Sequence, residues 1–236
     1  MFDLLIRGGL MIDGTGKTPY RADIGIQDDK IQAVGALGEA QATETIDAEG
    51  LHVAPGFINT HSHSDVVLLF EIKGENMLSQ GITTEVAGHC GETVIPLSDT
   101  LVSDFKKWLP DEQLREIQRL GHDPRLVMEY IGSRGAGTNV ALLAGHGTIR
   151  SEVMGYDDRI PTAQDMDRMK ALLAEAMEAG AFGMSSGLIY PPGVYAREEE
   201  LVDLCKTAAA YGGIYASHMR NESDRVVEAV AETIRI

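Results

Sequence analysis

The sequence has little cysteine and little positive charge. Its two cysteines, Cys90 and Cys205, are too few for a disulfide framework. Its 20 lysines and arginines are outnumbered by 36 aspartates and glutamates, which gives a formal net charge of −16. Such a surface repels phosphate backbones and anionic membranes. We therefore expect neither nucleic acid nor a membrane as a partner.

Long apolar runs and targeting signals are also lacking. No run approaches the ~18 residues that a membrane span needs. The N-terminus "MFDLLIRGGL" lacks the basic start and the small-residue cleavage site of a signal peptide, so we expect a cytoplasmic protein. The chain of 236 residues, 44% of them hydrophobic, is long enough for one large domain with or without a small one.

The pattern of apolar residues changes early in the chain. Residues 1–55 contain short apolar or alternating runs between turn sequences, which predicts a small β-sandwich domain. In residues 56–236, strand-like runs alternate with helical runs, which predicts an α/β domain of five β/α units with a parallel sheet. The clearest helix begins with a capping box of Thr162 and Asp165 and ends at Gly180.

Histidine and cysteine recur where the predicted strands end. The carboxyl ends of parallel strands meet at one edge of a sheet, so the residues that follow them gather there. These strand-end residues are His61, His63, His89, Cys90, His146, Tyr190 and His218. We therefore predict that the functional site lies at this edge.

His61 and His63, in "NTHSHSD", are separated by one residue. Alternate side chains of a strand point to the same side, so both imidazoles can hold one metal ion. A bare His-x-His is a weak signal, and two surface histidines are an equally good interpretation. Cys90 and His218 at the ends of other strands favour the metal, since zinc accepts imidazole nitrogen and thiolate sulfur.

The two cysteines differ in their surroundings. Cys205 lies on an apolar helical stripe, which predicts a core position. Cys90 lies in "GHCG", which contains no apolar helical stripe, and the glycines near it permit close backbone approach. We therefore interpret Cys90 as a metal ligand. His218 has a hydrogen-bonded core histidine as its alternative. For His89 and His146, support of a ligand, contact with a substrate and plain packing all stay open.

Several segments resemble one protein family. "DAEGLHVAPGFINTHSHSD" resembles the entry to the barrel in the amidohydrolase superfamily. "GITTEVAGHCGE", "AGHGTIR", "GLIYPPGVYA" and "YASHMRNE" resemble, in order, segments of the N-acyl-D-amino-acid deacylases, or D-aminoacylases. Most dinuclear members of the superfamily bridge their metals with a carboxylated lysine on the fourth strand, where this chain has "AFGMSSG". D-Aminoacylases use a cysteine on the second strand, which makes the Cys90 segment the most specific part of the likeness.

The resemblance implies a fold of the α/β class. It is a TIM-like (β/α)₈ barrel of a metal-dependent hydrolase with a small N-terminal β-sandwich of the composite, urease-like kind. Residues 1–55 would form the β-sandwich, and residues 56–236 the N-terminal part of the barrel with its first five β/α units. Such a barrel takes roughly 250 residues by itself. We therefore expect the chain to be part of a longer enzyme.

The resemblance also implies a zinc centre. His61 and His63 match the ligands of one metal position. Cys90 and His218 match ligands of the other, where zinc is held tightly, with the cysteine able to bridge. We therefore expect one tightly bound zinc ion and a second, weaker site.

The implied reaction is hydrolysis of the amide bond of a small N-acyl-D-amino acid to a carboxylate and a D-amino acid, with zinc activating carbonyl and water. Tyr190 matches a loop residue that lines the substrate pocket, and His146 is a second candidate substrate contact. The family's sixth-strand histidine and its eighth-strand aspartate, the general base, would lie beyond Ile236. The 236 residues alone are therefore expected to be inactive, and to associate with themselves or with a missing C-terminal segment.

Two other functions stay open. A cyclic amidohydrolase of the dihydroorotase or hydantoinase kind has the same fold and a ring substrate, but Cys90 and the lack of a fourth-strand lysine argue against it. A non-catalytic fragment that binds metal or a partner chain is favoured by the early stop at Ile236. Turnover of an N-acyl-D-amino acid and of a hydantoin separates the first alternative from a D-aminoacylase.

Overall fold

Strands and helices follow one another in the predicted order. The computed structural model describes residues 1–71, 73–107 and 109–236. The strands in these residues are β1 (Phe2–Met11), β2 (Tyr20–Gln27), β3 (Lys30–Gly35), β4 (Ala42–Asp47), β5 (His52–Val53), β6 (Phe57–Ser62), β7 (Ile82–Ala87), β8 (Asn139–Gly145), β9 (Gly183–Gly187) and β10 (Ile214–His218). The helices are α1 (Ser64–Val67), α2 (Glu75–Leu78), α3 (Asp99–Phe105), α4 (Asp111–Leu120), α5 (Pro124–Ser133), α6 (His146–Met154), α7 (Ala163–Glu178), α8 (Glu198–Ala210) and α9 (Val226–Arg235). Among these described helices, none has the length and apolar character that crossing a membrane requires.

The first compact unit, Met1–Gly56, is one mixed five-stranded sheet. β1 is antiparallel to β2 and parallel to β4 and β5. Leu5 and Met11 of β1 are buried, while Ile31 and Val34 of β3 are exposed. The described residues of this unit thus form one mixed sheet, and the second layer of the predicted β-sandwich stays a prediction. Alternating apolar residues identify strands with one buried face, and that pattern is the same in a single sheet and in a sandwich.

The second compact unit, Phe57–Ile236, contains a parallel sheet. Its strands lie in the order β10-β9-β8-β7-β6, so neighbours in the sequence are neighbours in the sheet. All of β9 and the last four residues of β8 are buried, which places the middle of the sheet in the core. The predicted parallel arrangement of five β/α units is confirmed.

Helix α7 begins with the predicted capping box. Thr162 Oγ1 accepts a hydrogen bond from the Asp165 N–H at 3.2 Å, and the Asp165 carboxylate accepts one from the Thr162 N–H at 2.8 Å. Gly180 follows the helix with a left-handed φ of +109°. Cys205 of α8 packs against the same apolar core as α7, as predicted, and burial raises the pKa of its thiol to about 11.

Strands β6 and β10 form the two edges of the parallel sheet. Phe57 and Ile58 in β6 are each 62% exposed, and Ile214 in β10 is 56% exposed. Among the described residues, β6 pairs with β7 alone and β10 with β9 alone. Each edge strand therefore presents a row of N–H and C=O groups without a strand partner.

Candidate metal centre at the strand ends

The carboxyl ends of the parallel strands bring the four predicted ligands together. His61 lies in β6, Cys90 follows β7 and His218 ends β10. The Cys90 Sγ atom lies 3.6 Å from His61 Nε2 and 3.5 Å from His218 Nδ1. His63 follows β6 directly, and the ligand atoms of His61, His63 and Cys90 all lie within 4.8 Å of one another.

The spacing of these donor atoms suits zinc. Zinc–nitrogen bonds of roughly 2.1 Å and zinc–sulfur bonds of roughly 2.3 Å at tetrahedral angles hold nitrogen and sulfur about 3.6 Å apart. The distances from Cys90 Sγ to His61 and to His218, 3.6 and 3.5 Å, agree with that separation. The sulfur is close to histidines from two different strands, so it can serve one ion or lie between two.

Imidazole rings pack against one another on the β6 side of the centre. The His61 ring lies edge-on to the His63 ring at 5.4 Å between centroids and stacks on the His89 ring at 4.2 Å. Burial lowers the pKa of His61, and the neighbouring charges of His63 and His218 lower it further. Burial likewise lowers the pKa of His89. Neutral imidazole is the form that binds a metal, so these surroundings favour the ligand state.

Cys90 has an unusual backbone conformation. Its φ is +59°, and Gly88 and Gly91 on either side of "HC" have φ of +82° and +78°. A Cβ atom at Gly91 would lie only 2.7 Å from the Gly187 nitrogen, so this position requires glycine. Burial raises the pKa of the Cys90 thiol, and the Glu222 charge adds to the effect. The metal-free cysteine is therefore a neutral thiol at neutral pH and loses a proton when it binds a cation.

His218 presents a different nitrogen to each neighbour. Its Nδ1 faces Cys90 and also lies 3.2 Å from the Tyr190 hydroxyl. Its Nε2 lies 2.9 Å from Glu222 Oε1. A carboxylate beside the far nitrogen orients many metal-binding histidines and raises their basicity. The sequence prediction missed Glu222, although "HMRNE" places it four residues after His218.

An open cavity of about 580 Å³ lies beside the donor atoms, and Tyr190, Cys90 and His63 all line it. Tyr190 is 44% exposed, and its ring lies edge-on to that of His218 at 4.8 Å. The tyrosine predicted to contact substrate thus stands at both the cavity and the metal centre. Leu101 adds an apolar wall.

Asp65 is a second residue that the sequence prediction missed. It is 1% exposed, lines the same cavity, and accepts a hydrogen bond from the Val94 N–H at 3.2 Å. Burial raises its pKa to about 6, against the opposing effect of backbone N–H donors that include Gly88. The motif "HSHSD" contains this aspartate two residues after His63, which is the signal that could have identified it.

His146 does not reach the cavity. It is the first residue of α6 and is fully buried, with Nε2 at 2.8 Å from Glu200 Oε1. Arg150 Nε lies 3.2 Å from the same oxygen. The predicted contact with substrate is therefore corrected in favour of packing, one of the interpretations left open. His146 follows β8 and so lies at the predicted edge of the sheet, but its side chain contacts Glu200 and does not line the cavity.

Known proteins are similar to this sequence over its whole length. A D-aminoacylase of Alcaligenes xylosoxydans xylosoxydans is 39% identical over 235 residues, which are 100% of this chain and 48% of that protein. The crystal structure of N-acyl-D-glutamate deacylase from Bordetella bronchiseptica, complexed with zinc and a phosphonate inhibitor, is 37% identical with a TM-score of 0.88, covering 99% of this chain and 48% of that one. A D-aminoacylase structure from work on its binuclear metal centre is 35% identical with a TM-score of 0.89, covering 100% of this chain and 49% of that one.

The chain spans about half the length of the relatives that it matches. The profile of the Amidohydrolase family matches residues 44–230, which include all five strands of the parallel sheet and the four clustered donors. With the fold and the strand-end donors in agreement with that match, the chain belongs to the amidohydrolase family.

Proposed function

We propose that the complete polypeptide is a zinc-dependent hydrolase that cleaves the amide bond of N-acyl-D-amino acids to a carboxylate and a D-amino acid. The observation that carries the proposal is the position of Cys90. Its sulfur lies 3.6 Å from His61 Nε2 in β6 and 3.5 Å from His218 Nδ1 in β10, as two ligands of one zinc ion would. Strand β9, with the sequence "GMSSG", has no lysine that could bridge metals instead. The named D-aminoacylase and deacylase relatives support the same activity.

His61, His63, Cys90 and His218 would hold the zinc, one ion tightly and a second more weakly. When bound, zinc polarises a carbonyl group and makes water a stronger acid. The lowered pKa of His61 and the displaceable thiol proton of Cys90 fit this donor set. Glu222 would keep His218 oriented with Nδ1 toward the ion.

Tyr190 is proposed as the substrate contact. Its hydroxyl is close to His218 and its side chain lines the cavity, so it can donate a hydrogen bond to a polar group of a substrate held at the metal. The small N-acyl-D-amino acid would occupy the cavity, with apolar contact from Leu101. The general base is proposed to lie beyond Ile236, at the end of an eighth strand.

We further propose two features of the complete fold, a closed barrel and a β-sandwich. A closed (β/α)₈ barrel would need three further units between the open edges β10 and β6. A second layer over the sheet of residues 1–56 would complete a β-sandwich. The similarity to proteins about twice as long supports both. A cytoplasmic location stays a prediction from the N-terminal sequence.

The test compares N-acetyl-D-leucine, N-acetyl-L-leucine and hydantoin as substrates of the complete polypeptide loaded with zinc. A site that holds carboxylate, carbonyl and side chain at three points misplaces one of them when Cα is inverted, and about 1 Å of misplacement costs on the order of 10²-fold in rate. We expect the D enantiomer to be hydrolysed at least ~10²-fold faster than the L enantiomer. Equal rates would reject the D-aminoacylase activity, and preferred turnover of hydantoin would establish the cyclic amidohydrolase alternative.

A further inference from the structure

Ser185 lies in the middle of β9 and is fully buried. Its hydroxyl accepts a hydrogen bond from the Gly91 N–H at 3.1 Å and donates one to the Gly88 carbonyl. Gly88 and Gly91 are the two ends of the four-residue segment that carries His89 and Cys90. One hydroxyl therefore links the two ends of this segment. We call the segment the cysteine loop (residues 88–91).

The cysteine loop needs such support because its conformation is unfavourable by itself. Cys90 has φ of +59°, a left-handed conformation that non-glycine residues rarely adopt and that the surrounding structure must enforce. If Cys90 relaxed, its sulfur would move away from His61 and His218, which lie 3.6 and 3.5 Å from it. The spacing that suits a metal thus depends on how the loop is held.

Other contacts hold the chain on the far side of the cysteine loop. The Thr148 N–H donates to the Gly91 carbonyl at 3.0 Å. Thr148 Oγ1 also accepts from the Thr93 N–H at 3.0 Å. These bonds fix the segment that leaves the loop, whereas Ser185 joins its beginning to its end.

We propose that Ser185 is a positioning residue, whose hydroxyl sets the backbone of residues 88–91 so that the Cys90 sulfur faces the metal-binding histidines. The inference rests on the proposed metal centre for its consequence, but its geometric claim concerns the metal-free protein. The adjacent Ser186 is the matched control. It is equally buried, yet its hydroxyl bonds to Tyr215 Oη at 2.7 Å and to Ser217 Oγ at 3.0 Å, on the neighbouring strand.

The test uses Ser185→Ala and Ser186→Ala in the complete polypeptide. Metal-free protein is titrated with Co²⁺, and the thiolate-to-cobalt absorption reports on bonding by Cys90. We expect Ser185→Ala to weaken cobalt affinity at least ~10-fold, the size of effect that supporting groups of metal sites show. Ser186→Ala should stay within about twofold of the parent protein. Equal losses in the two variants, or no loss in Ser185→Ala, would overturn the assignment.

A conservative variant separates positioning from loss of folding. Ser185→Thr keeps the hydroxyl and should bind cobalt within about threefold of the parent protein. The thermal midpoint of each variant is measured alongside, so that an Ala variant that does not fold is recognised. A folded Thr variant that loses cobalt binding as completely as the Ala variant would show that the hydroxyl is not the group responsible.

A metal-free measurement distinguishes failure of this inference from failure of the proposed function. The reaction rate of Cys90 with an aromatic disulfide reagent is followed in a Cys205→Ala background. We expect Ser185→Ala to change the rate at least ~10-fold and Ser186→Ala to leave it within about twofold. If the parent protein shows no cobalt–thiolate absorption, the metal centre fails while this rate still tests the loop. An unchanged rate in Ser185→Ala would refute the positioning role in either case.

Discussion

At the scale of single residues, the sequence around each of the two cysteines predicts a different role. The helical stripe around Cys205 predicted a core position, and the residue packs against the core with a raised pKa. The glycines around Cys90 predicted an unusual backbone, and its φ is +59°. Stripe periodicity and glycine spacing are local properties, which is why a single sequence carries them.

Replacement of each cysteine tests the difference between them. We expect Cys90→Ser to lose bound zinc, because the serine hydroxyl is a far poorer zinc ligand than a thiolate. Cys205→Ser should keep its zinc, since Cys205 packs against the apolar core. Zinc per chain is measured by elemental analysis of the complete polypeptide purified without chelator. Equal zinc content in the two variants would remove Cys90 from the site.

Contacts that depend on tertiary structure escaped prediction at this scale. His146 directly follows its strand, as expected, yet its ring contacts Glu200, 54 residues further along the chain. Asp65 is buried and accepts a hydrogen bond from the backbone N–H of Val94, 29 residues away. The direction of a side chain at a strand end depends on what packs beneath it, and a single sequence does not specify that partner.

At the scale of elements, helix caps and strand order were predictable from local patterns, and the two open edges were predictable from the number of β/α units. The capping box of α7 is local, and consecutive β/α units place their strands side by side because crossovers are short and right-handed. The exposed apolar residues of the two edges, Phe57 and Ile58 in β6 and Ile214 in β10, show where the sheet is open. No local pattern in β6 or β10 distinguishes an edge strand from one that pairs on both sides.

The open edges lead to a prediction for residues 1–236 expressed alone. Unpaired strand edges with exposed apolar side chains invite association, despite the net charge of −16. We expect this polypeptide to elute from size-exclusion chromatography as oligomers or aggregates and to release no D-amino acid from an N-acyl-D-amino acid. The complete polypeptide, run in parallel, is the control. A monomeric and active 1–236 chain would show that the edges need no cover and that the general base lies within these residues.

At the scale of the whole molecule, the sequence pattern predicts a change of architecture after residue 55, and the chain divides into two compact units, Met1–Gly56 and Phe57–Ile236. The division at Gly56 lies one residue from the predicted boundary. The change from alternating strands to β/α units marks it, because each architecture has its own hydrophobic period. The second layer of a β-sandwich stays a prediction for the first unit, since a layer that covers the other face of a sheet can come from a distant part of the chain.

The central claim is that Cys90 and His218, with His61 and His63, hold zinc at the carboxyl edge of the sheet. Anomalous X-ray scattering at the zinc edge, from crystals of the complete polypeptide with bound zinc, tests it most directly. We predict an anomalous peak about 2.3 Å from Cys90 Sγ and about 2.0–2.1 Å from His218 Nδ1. A fully occupied zinc peak elsewhere in the protein, with Cys90 and His218 left without a metal, would contradict the account.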